Sequence, residues 1–600
     1  MRQPEKIRNV AIIAHIDHGK TTLLDGLLKE SKIFRDNQAI PVRVMDSYDQ
    51  EQERGITIFA KHTGIDYNDY HFNIIDTPGH ADFSGEVERI LGMVNTVILI
   101  VDAYEGPMPQ TRFVLSKSLQ MGLSPVVVLN KIDRPHADPE RVLNETFDLF
   151  VELGANDQQL DFKYCYASGI EGYAMLNLDD PRENLTPLLD LIIAHAPAPQ
   201  GDLNKPFLIQ AATLSYDDFL GRQACGRILQ GTIRKGAQVV HIDREGRRKN
   251  CTITCLEGHQ GLKKIELDEA GVGDIVCLSG IQEVMIGDTL CSPDDIQQLP
   301  PIHLDEPTVS IDVSVNNGPF AGRSGKHVTM NKVRERLQKE KRSNISYHIT
   351  EPTQDKITIA GRGELHLAVL LEAMRREGYE FCVAKPQVIL KQIDGVTNEP
   401  LDRVHVNVPE EYSGSVIDQL SRRRGEMQRL HTDDHKITHM EFLIPTRGLM
   451  GYRNEFLTTT RGLGILTSVF DQYAPFKGEI VGRTRGVLIS MCLGKTNGYA
   501  CFNLTDRGQL FVEPGDDVYE GLIVGEHNRE NDLLVNTTKG KQLTNVRSTG
   551  ADENIILNPP RKFSLEQAIT YIGDDELIEV TPGAIRLRKR FLTENERKRR

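Results

Sequence analysis

The apolar run Val10 to Ile13 leads directly into Ala14-His15-Ile16-Asp17-His18-Gly19-Lys20-Thr21-Thr22, and that order admits few folds. A buried strand that breaks into a Gly-Lys-Thr loop and continues as a helix aims consecutive backbone N–H groups at one point, at the positive end of the helix dipole. Such a loop holds a phosphate. Asp17, His18 and Gly19 supply amides with Thr22 behind them, Lys20 adds a point charge across the terminal phosphates, and the Thr21 hydroxyl is a ligand for Mg²⁺. Ala14 stands where the pattern usually has Gly. Taken alone, the stretch is also compatible with an ordinary strand-to-helix turn, so motifs further along decide its meaning.

After the strand-like Phe72 to Ile75 comes Asp76-Thr77-Pro78-Gly79-His80. A carboxylate at a strand end reaches Mg²⁺ directly or through water, and Gly79 offers its N–H to a γ-phosphate. Asn130-Lys131-Ile132-Asp133 follows the apolar run Val126 to Leu129, which reads as a buried parallel strand. Asp133 accepts two hydrogen bonds from guanine, at N1–H and the 2-amino group, an edge that adenine lacks. Each such charge-assisted bond is worth roughly 1.5 to 3 kcal/mol, so the chemistry favours GTP over ATP. Ser168 and Gly169, in Tyr166-Ala167-Ser168-Gly169, bring backbone N–H groups to guanine O6. Between loop and carboxylate lies Arg54-Gly55-Ile56-Thr57-Ile58, in a stretch rich in Asp and Glu. It reads as a switch whose Thr57 joins the Mg²⁺ ligands only when a γ-phosphate is present. The residues alone favour a solvated acidic loop.

Together these motifs resemble the translational GTPases, and within them the TypA/BipA family. The resemblance rests on His-Ile-Asp-His-Gly-Lys-Thr, on Arg-Gly-Ile-Thr-Ile and on His80 behind Asp-Thr-Pro-Gly. Met45-Asp46-Ser47, Gly106-Pro107-Met108-Pro109-Gln110-Thr111-Arg112, Gly361-Arg362-Gly363-Glu364-Leu365-His366-Leu367 and Asn531-Asp532-Leu533 extend it along the chain. It implies that His80 turns toward the attacking water on the large ribosomal subunit and that Ile16 and Ile56 gate its approach. Phosphoryl transfer needs positioning and charge neutralisation more than covalent help. No arginine finger is assigned, because the family's trigger is ribosomal RNA. The resemblance also implies roles in large (50S) subunit assembly, translation and stress or cold adaptation. A general elongation or recycling factor, or a GTP-gated RNA chaperone or scaffold, stands as the alternative.

At about 150 residues per domain, 600 residues suggest roughly four units. With 71 Lys and Arg against 85 Asp and Glu, the net charge of -14 argues against a histone-like binder and leaves RNA contact to local patches. The nine cysteines show no zinc spacing and read as reduced thiols. Met1 to Val10 lacks an apolar signal core, and no apolar run approaches a membrane span of about 20 residues. A cytoplasmic monomer with no membrane partner is expected.

The expected fold class is multidomain α/β and β. Residues 1–199 form a P-loop GTP-binding domain that ends in the Ala-Pro linker at Ala194 to Pro199. Residues 204–300 form a β-barrel, with strands at Phe207 to Ala211, Gly226 to Leu229, Gln238 to Ile242 and Ile275 to Leu278. Residues 303–388 and 393–477 each read strand, helix, strand, strand, helix, strand, giving two ferredoxin-like α+β domains. The first carries His366 on a helix whose apolar stripe is core. Residues 478–600 form the family-specific C-terminal domain, with strands at Gly486 to Cys492 and Ala500 to Leu504 and a helix started by the capping box of Ser564 and Gln567. No room remains for the anticodon-arm mimic carried by elongation factor G.

Two RNA-binding segments are expected near the C-terminus. Lys539, Lys541 and Arg547 sit in a polar loop, read either as a phosphate contact or as a solvated turn, and similar loops in TypA-like proteins reach toward transfer RNA in the ribosomal A site. The last twenty residues hold eight Lys or Arg against two Glu, including Arg597, Lys598, Arg599 and Arg600, and ribosomal RNA suits them.

Overall fold

The computed structural model describes residues 2–15, 17–30, 49–54, 57–78, 81–217, 219–302, 306–344, 346–433, 436–480, 482–540 and 557–599. Ile16, Ile56, Gly79, His80, Lys541, Arg547 and Arg600, all singled out above, lie outside the described residues, as does Met45-Asp46-Ser47. The chain divides into two compact units, one essentially residues 1–305 and the other essentially residues 306–600.

The first unit opens with a seven-stranded sheet. Its strands are β1 (Ile7–Ala14), β2 (Lys61–Tyr67), β3 (Tyr70–Asp76), β4 (Thr96–Asp102), β5 (Ser124–Asn130), β6 (Lys163–Ser168) and β7 (Tyr173–Met175), in the order β2-β3-β1-β4-β5-β6-β7. The central strands β3, β1, β4, β5 and β6 run parallel, while β2 and β7 close the edges antiparallel. Because β1, β4 and β5 are covered on both faces, they carry continuous apolar stretches, Val10 to Ala14, Val97 to Val101 and Pro125 to Leu129, rather than alternating ones. Val97, Leu99 and Val101 pack to one side and Ile98 and Ile100 to the other. Helices α1 (Lys20–Glu30) and α2 (Asp49–Arg54) precede β2. This is the doubly wound domain expected from the motifs, with the Gly19-Lys20, Asp76, Asn130 and Ser168 motifs at or just beyond the carboxyl ends of β1, β3, β5 and β6, where such sheets bind ligands.

Antiparallel strands from Leu208–Gln210 to Thr289–Cys291 build the β-barrel of the same unit around Phe207, Ile209, Val239, Leu256, Leu278 and Leu290. Gly271 to Asp274 makes a turn between strands, with the Asp274 amide donating to the Gly271 carbonyl and Gly273 at φ 89°. One sequence expectation fails here. Cys225 and Cys277, read as thiols, are joined in a disulfide because they face each other across neighbouring antiparallel strands with Cα atoms 4.1 Å apart. The other seven cysteines are free.

The barrel and the sheet domain are sewn together at several points. Asn9 donates to the Gly273 carbonyl at 2.9 Å, Arg227 donates to Asn95 at 3.0 Å, and Gly64 and Gly261 exchange backbone hydrogen bonds at 3.2 and 2.7 Å.

In the second unit, the strands His348–Thr353, Lys356–Gly361, Val309–Ser314 and Phe381–Val383 lie side by side in that order, with helices Met330–Ser343 and Glu364–Arg376 between them in sequence. Ile465–Pro475, Val396–Pro409, Ile437–Pro445 and Glu426–Thr432 repeat the arrangement. Both are the ferredoxin-like order, fourth strand beside first, then third and second. The first sheet does not stop at its fourth strand, because Phe381–Val383 also pairs with Glu576–Val580, which pairs with Ile585–Lys589.

His366 is 2 % exposed and stacked on the Tyr347 ring at 4.1 Å, a core position. Ser564 and Gln567 make the expected capping box for the helix Leu565–Tyr571. Ala500 to Leu504, expected as a strand, belongs instead to the helix Gly498–Leu504. Asn497 starts it by accepting from the Tyr499 amide, and a run this short carries no period of its own to oppose a cap.

Candidate functional site

The loop between β1 and α1 owes its shape to two residues in the left-handed region, Asp17 at φ 64° and Gly19 at φ 87°. Gly19 is required twice over. Its φ disfavours other residues, and a Cβ there would lie 2.4 Å from the Asn130 side-chain nitrogen. That closeness reflects the way the loop is held. Asn130, at the end of β5, donates to the His18 carbonyl at 2.8 Å and accepts from the Gly169 amide at 3.0 Å, so one buried side chain ties three motifs together. A Cβ at Gly169 would come within 3.2 Å of the Leu23 amide in α1, so the turn after β6 packs closely on that helix.

At the mouth of the loop, the Lys20 ammonium lies 2.7 Å from Asp76 and donates to the Thr57 hydroxyl at 2.6 Å and to the Thr77 carbonyl at 2.9 Å. The Thr57 hydroxyl donates to the other Asp76 oxygen at 3.4 Å. Asp76 is 1 % exposed. Thr21 and Thr22 follow Lys20 on the first turn of α1, Thr21 half-buried and Thr22 exposed. Carboxylate and hydroxyl oxygens are the donor chemistry that a small hard divalent cation takes, so these residues fit Mg²⁺.

In the turn after β5, Lys131 sits at φ 62° with its ammonium 2.8 Å from Asp102, at the end of β4, and Asp133 is exposed. The Ser168 hydroxyl accepts from the Glu171 amide at 3.2 Å, which shapes the turn after β6. Asp102, Glu51, Glu105 and His15 take part in this architecture although sequence reasoning passed over them. For Asp102 a signal existed, an acid ending the apolar strand β4 at its carboxyl end. Burial beside the His18 ring holds His15 at a pKa of about 4, below the usual range, so it is neutral. The His18 ring 3.6 Å away, with Lys131 and Arg134 nearby, draws the Glu105 carboxyl down to about 2.

The basic tail is less open than its composition implies. Arg588 and Lys589 are buried, and Lys589 pairs with Asp532, Asp575 and Glu576. Arg586 pairs with Glu579, and Lys598 with Glu594. Arg597 donates to the backbone carbonyls of Phe591 and Leu592. Lys539, Lys598 and Arg599 are exposed.

Comparison with known proteins agrees with this geometry. Residues 5–198 match the model of the elongation factor Tu GTP binding domain and 221–291 that of elongation factor Tu domain 2. Residues 396–484 match the elongation factor G C-terminus and 485–594 the TypA/BipA C-terminal domain. The large ribosomal subunit assembly factor BipA of Bacillus subtilis (strain 168) is 51% identical over 600 residues, spanning 100% of this chain and 98% of its own. Its namesake in Synechocystis (strain PCC 6803) is 51% identical over 584 residues, 97% of this chain and 98% of that one. The one in Escherichia coli (strain K12) is 49% identical over 597 residues, 99% and 98% of the two chains. A crystal structure from Thermus thermophilus is similar in fold, with a TM-score of 0.54 at 17% identity over 79% of this chain and 98% of that one. With guanine-nucleotide motifs converging on one loop and about half its residues shared with these relatives from end to end, the chain belongs to the TypA/BipA family and is a GTPase.

Proposed function

We propose that the protein is a ribosome-associated GTPase that binds GTP with Mg²⁺ at the β1–α1 loop, hydrolyses it to GDP and phosphate on the ribosome, and serves the assembly of the large subunit. The observation that carries this reading is the convergence of Lys20, Thr57 and Asp76 at the mouth of the loop. It occurs in a chain that matches, along its whole length, proteins named large ribosomal subunit assembly factor. The loop amides from Asp17 to Lys20 receive the phosphates and Asp133 reads guanine, with Asn130, Lys131, Ser168 and Gly169 holding the base pocket. Thr21, Thr57 and Asp76 would hold Mg²⁺, which when bound neutralises charge on the phosphates. Gly79 senses the γ-phosphate, His80 orients the attacking water, and Ile16 and Ile56 gate it. The protein acts as a cytoplasmic monomer. Lys539, Lys541 and Arg547 face A-site transfer RNA. Ribosomal RNA meets the tail, where exposed Lys598 and Arg599 are better placed for it than Arg597, which is engaged with its own backbone.

Steady-state GTP hydrolysis by the full chain tests this reading, alone and with vacant ribosomes or isolated large subunits, with ATP as control. Stimulation confined to GTP and lost in His80→Ala, with GTP binding retained, is the expected result. GTP binding without any stimulation by ribosomal particles overturns the ribosomal reading.

A further inference from the structure

Glu51 is a carboxylate with 0 % exposure in a helix of six residues, α2, whose sequence is otherwise polar. A charge so buried persists only where donors meet it. One oxygen accepts from the backbone amides of Ile58 at 2.9 Å and Phe59 at 3.2 Å, and the other lies 2.5 Å from the Lys61 ammonium at the start of β2. All three donors lie just downstream of Thr57, on the short stretch that carries Thr57 into the edge strand of the sheet. Thr57 itself is 6 % exposed and meets Lys20 and Asp76 through its hydroxyl.

We infer that Glu51 is the positioning residue of the switch: by gathering the Ile58 and Phe59 amides and the Lys61 ammonium, it fixes the backbone from which Thr57 reaches the nucleotide. The inference rests on the proposed role of Thr57 as the residue that answers to a γ-phosphate. Glu51 then acts on one nucleotide and not the other. GDP ends before the position that Thr57 serves, so its binding is indifferent to where the Thr57 hydroxyl sits. GTP, or an analogue with an intact γ-phosphate, binds in full only when Thr57 is already held in place. Without the carboxylate, two backbone amides and a lysine lose their common acceptor, and ordering that segment becomes a cost charged against GTP alone.

The test is calorimetric titration of the full chain, in Mg²⁺, with GDP and with a non-hydrolysable GTP analogue. The variants are Glu51→Ala, Glu51→Gln and Thr57→Ala. Glu51→Ala is expected to lower affinity for the analogue by about tenfold or more, each tenfold corresponding to about 1.4 kcal/mol, while leaving GDP affinity within about twofold of the parent. Glu51→Gln keeps an oxygen for the two amides and gives up the charge facing Lys61, so it falls between, and it carries the test if the alanine variant does not fold. Equal losses for GDP and analogue in the Glu51 variants overturn the proposal, because they mark a residue that merely supports the domain. Unchanged binding in the Glu51 variants alongside a selective loss in Thr57→Ala also overturns it, and leaves the role of Thr57 standing. Unchanged binding in Thr57→Ala refutes that role and the inference built on it.

Discussion

The carboxylate of Glu105 lies 3.6 Å from Nε2 of His18. On its other side, the ring accepts at Nδ1 from the Asp102 amide at 3.3 Å. The same nitrogen lies 3.4 Å from the Ile100 carbonyl, so the ring is lodged against the end of β4. The His18 backbone is held by Asn130, and its side chain is therefore held by the strand end next door. The phosphate loop is anchored on both sides of its α-carbon.

Replacing Glu105 with Ala removes one of these anchors without touching a residue that faces nucleotide. Affinity for GDP and GTP is expected to fall together, by a few-fold at most, as loss of one partly exposed contact of under about 1 kcal/mol implies. Parallel titrations with the two nucleotides measure it. The equal loss is the opposite of the selective one expected for Glu51.

Asp133→Asn exchanges an acceptor of two hydrogen bonds for a group that offers one acceptor and one donor. Guanine then loses a charge-assisted bond and meets a donor where it presents one, so GTP affinity is expected to fall by roughly a hundredfold, about 3 kcal/mol. Xanthosine triphosphate carries a carbonyl in place of the 2-amino group and accepts from the new amide. Competition between GTP and xanthosine triphosphate reports the reversal, and an unchanged preference for GTP refutes the role of Asp133.

Gly64 lies on β2 where that strand meets the barrel, and a Cβ there would lie 2.1 Å from the His259 carbonyl oxygen, a backbone atom that cannot swing aside. Gly64→Ala is expected to part the two strands and to destabilise the first unit by roughly 2 to 4 kcal/mol. Thermal unfolding followed by calorimetry checks this, with the loss appearing in the transition that contains the barrel.

The same seam makes stability depend on pH. His62 and His259 sit with ring centres 5.3 Å apart, and burial, with each other or Lys264 nearby, pushes both below the usual 6.5, to about 3 for His62 and about 4 for His259. In the folded protein both stay neutral, while in the unfolded chain both take a proton near their ordinary pKa. The stabilisation is therefore complete above about pH 6.5 and is lost as pH falls toward 4 and below, because the unfolded state binds more protons throughout that window. Unfolding midpoints measured from pH 7 to pH 4 are expected to fall, and the doubly substituted His62→Gln, His259→Gln protein to show a flatter decline.

Much of the nucleotide site was legible because its chemistry is local. Gly19 and Lys20 follow a strand within a few residues, and Asn130 to Asp133 form one turn, so spacing along the chain is spacing in the fold. Glu51 and Glu105 were passed over for the opposite reason. A carboxylate in a polar stretch reads as solvated unless its partners are known, and those partners sit on other elements: Lys61 on β2 for Glu51, and the His18 ring for Glu105. The tail misled in the same way, since Arg588 and Lys589 look like surface charge until the strand that buries them is seen to belong to a sheet begun far upstream. Cys225 and Cys277 meet only through strand register, which composition does not carry.

That shared sheet also bears on how the protein is made. The strand Phe381–Val383 has Val309–Ser314 on one flank and Glu576–Val580 on the other, and the second neighbour is translated long after the first. Until it arrives, the growing chain carries an apolar strand with an unsatisfied row of amides and carbonyls along one side, open to pairing with any other nascent segment. Completion of the second unit is thus a late, long-range closure, slow by its topology. A protein proposed to help build ribosomes depends, for its own sheet, on a strand that a ribosome delivers long after its neighbour.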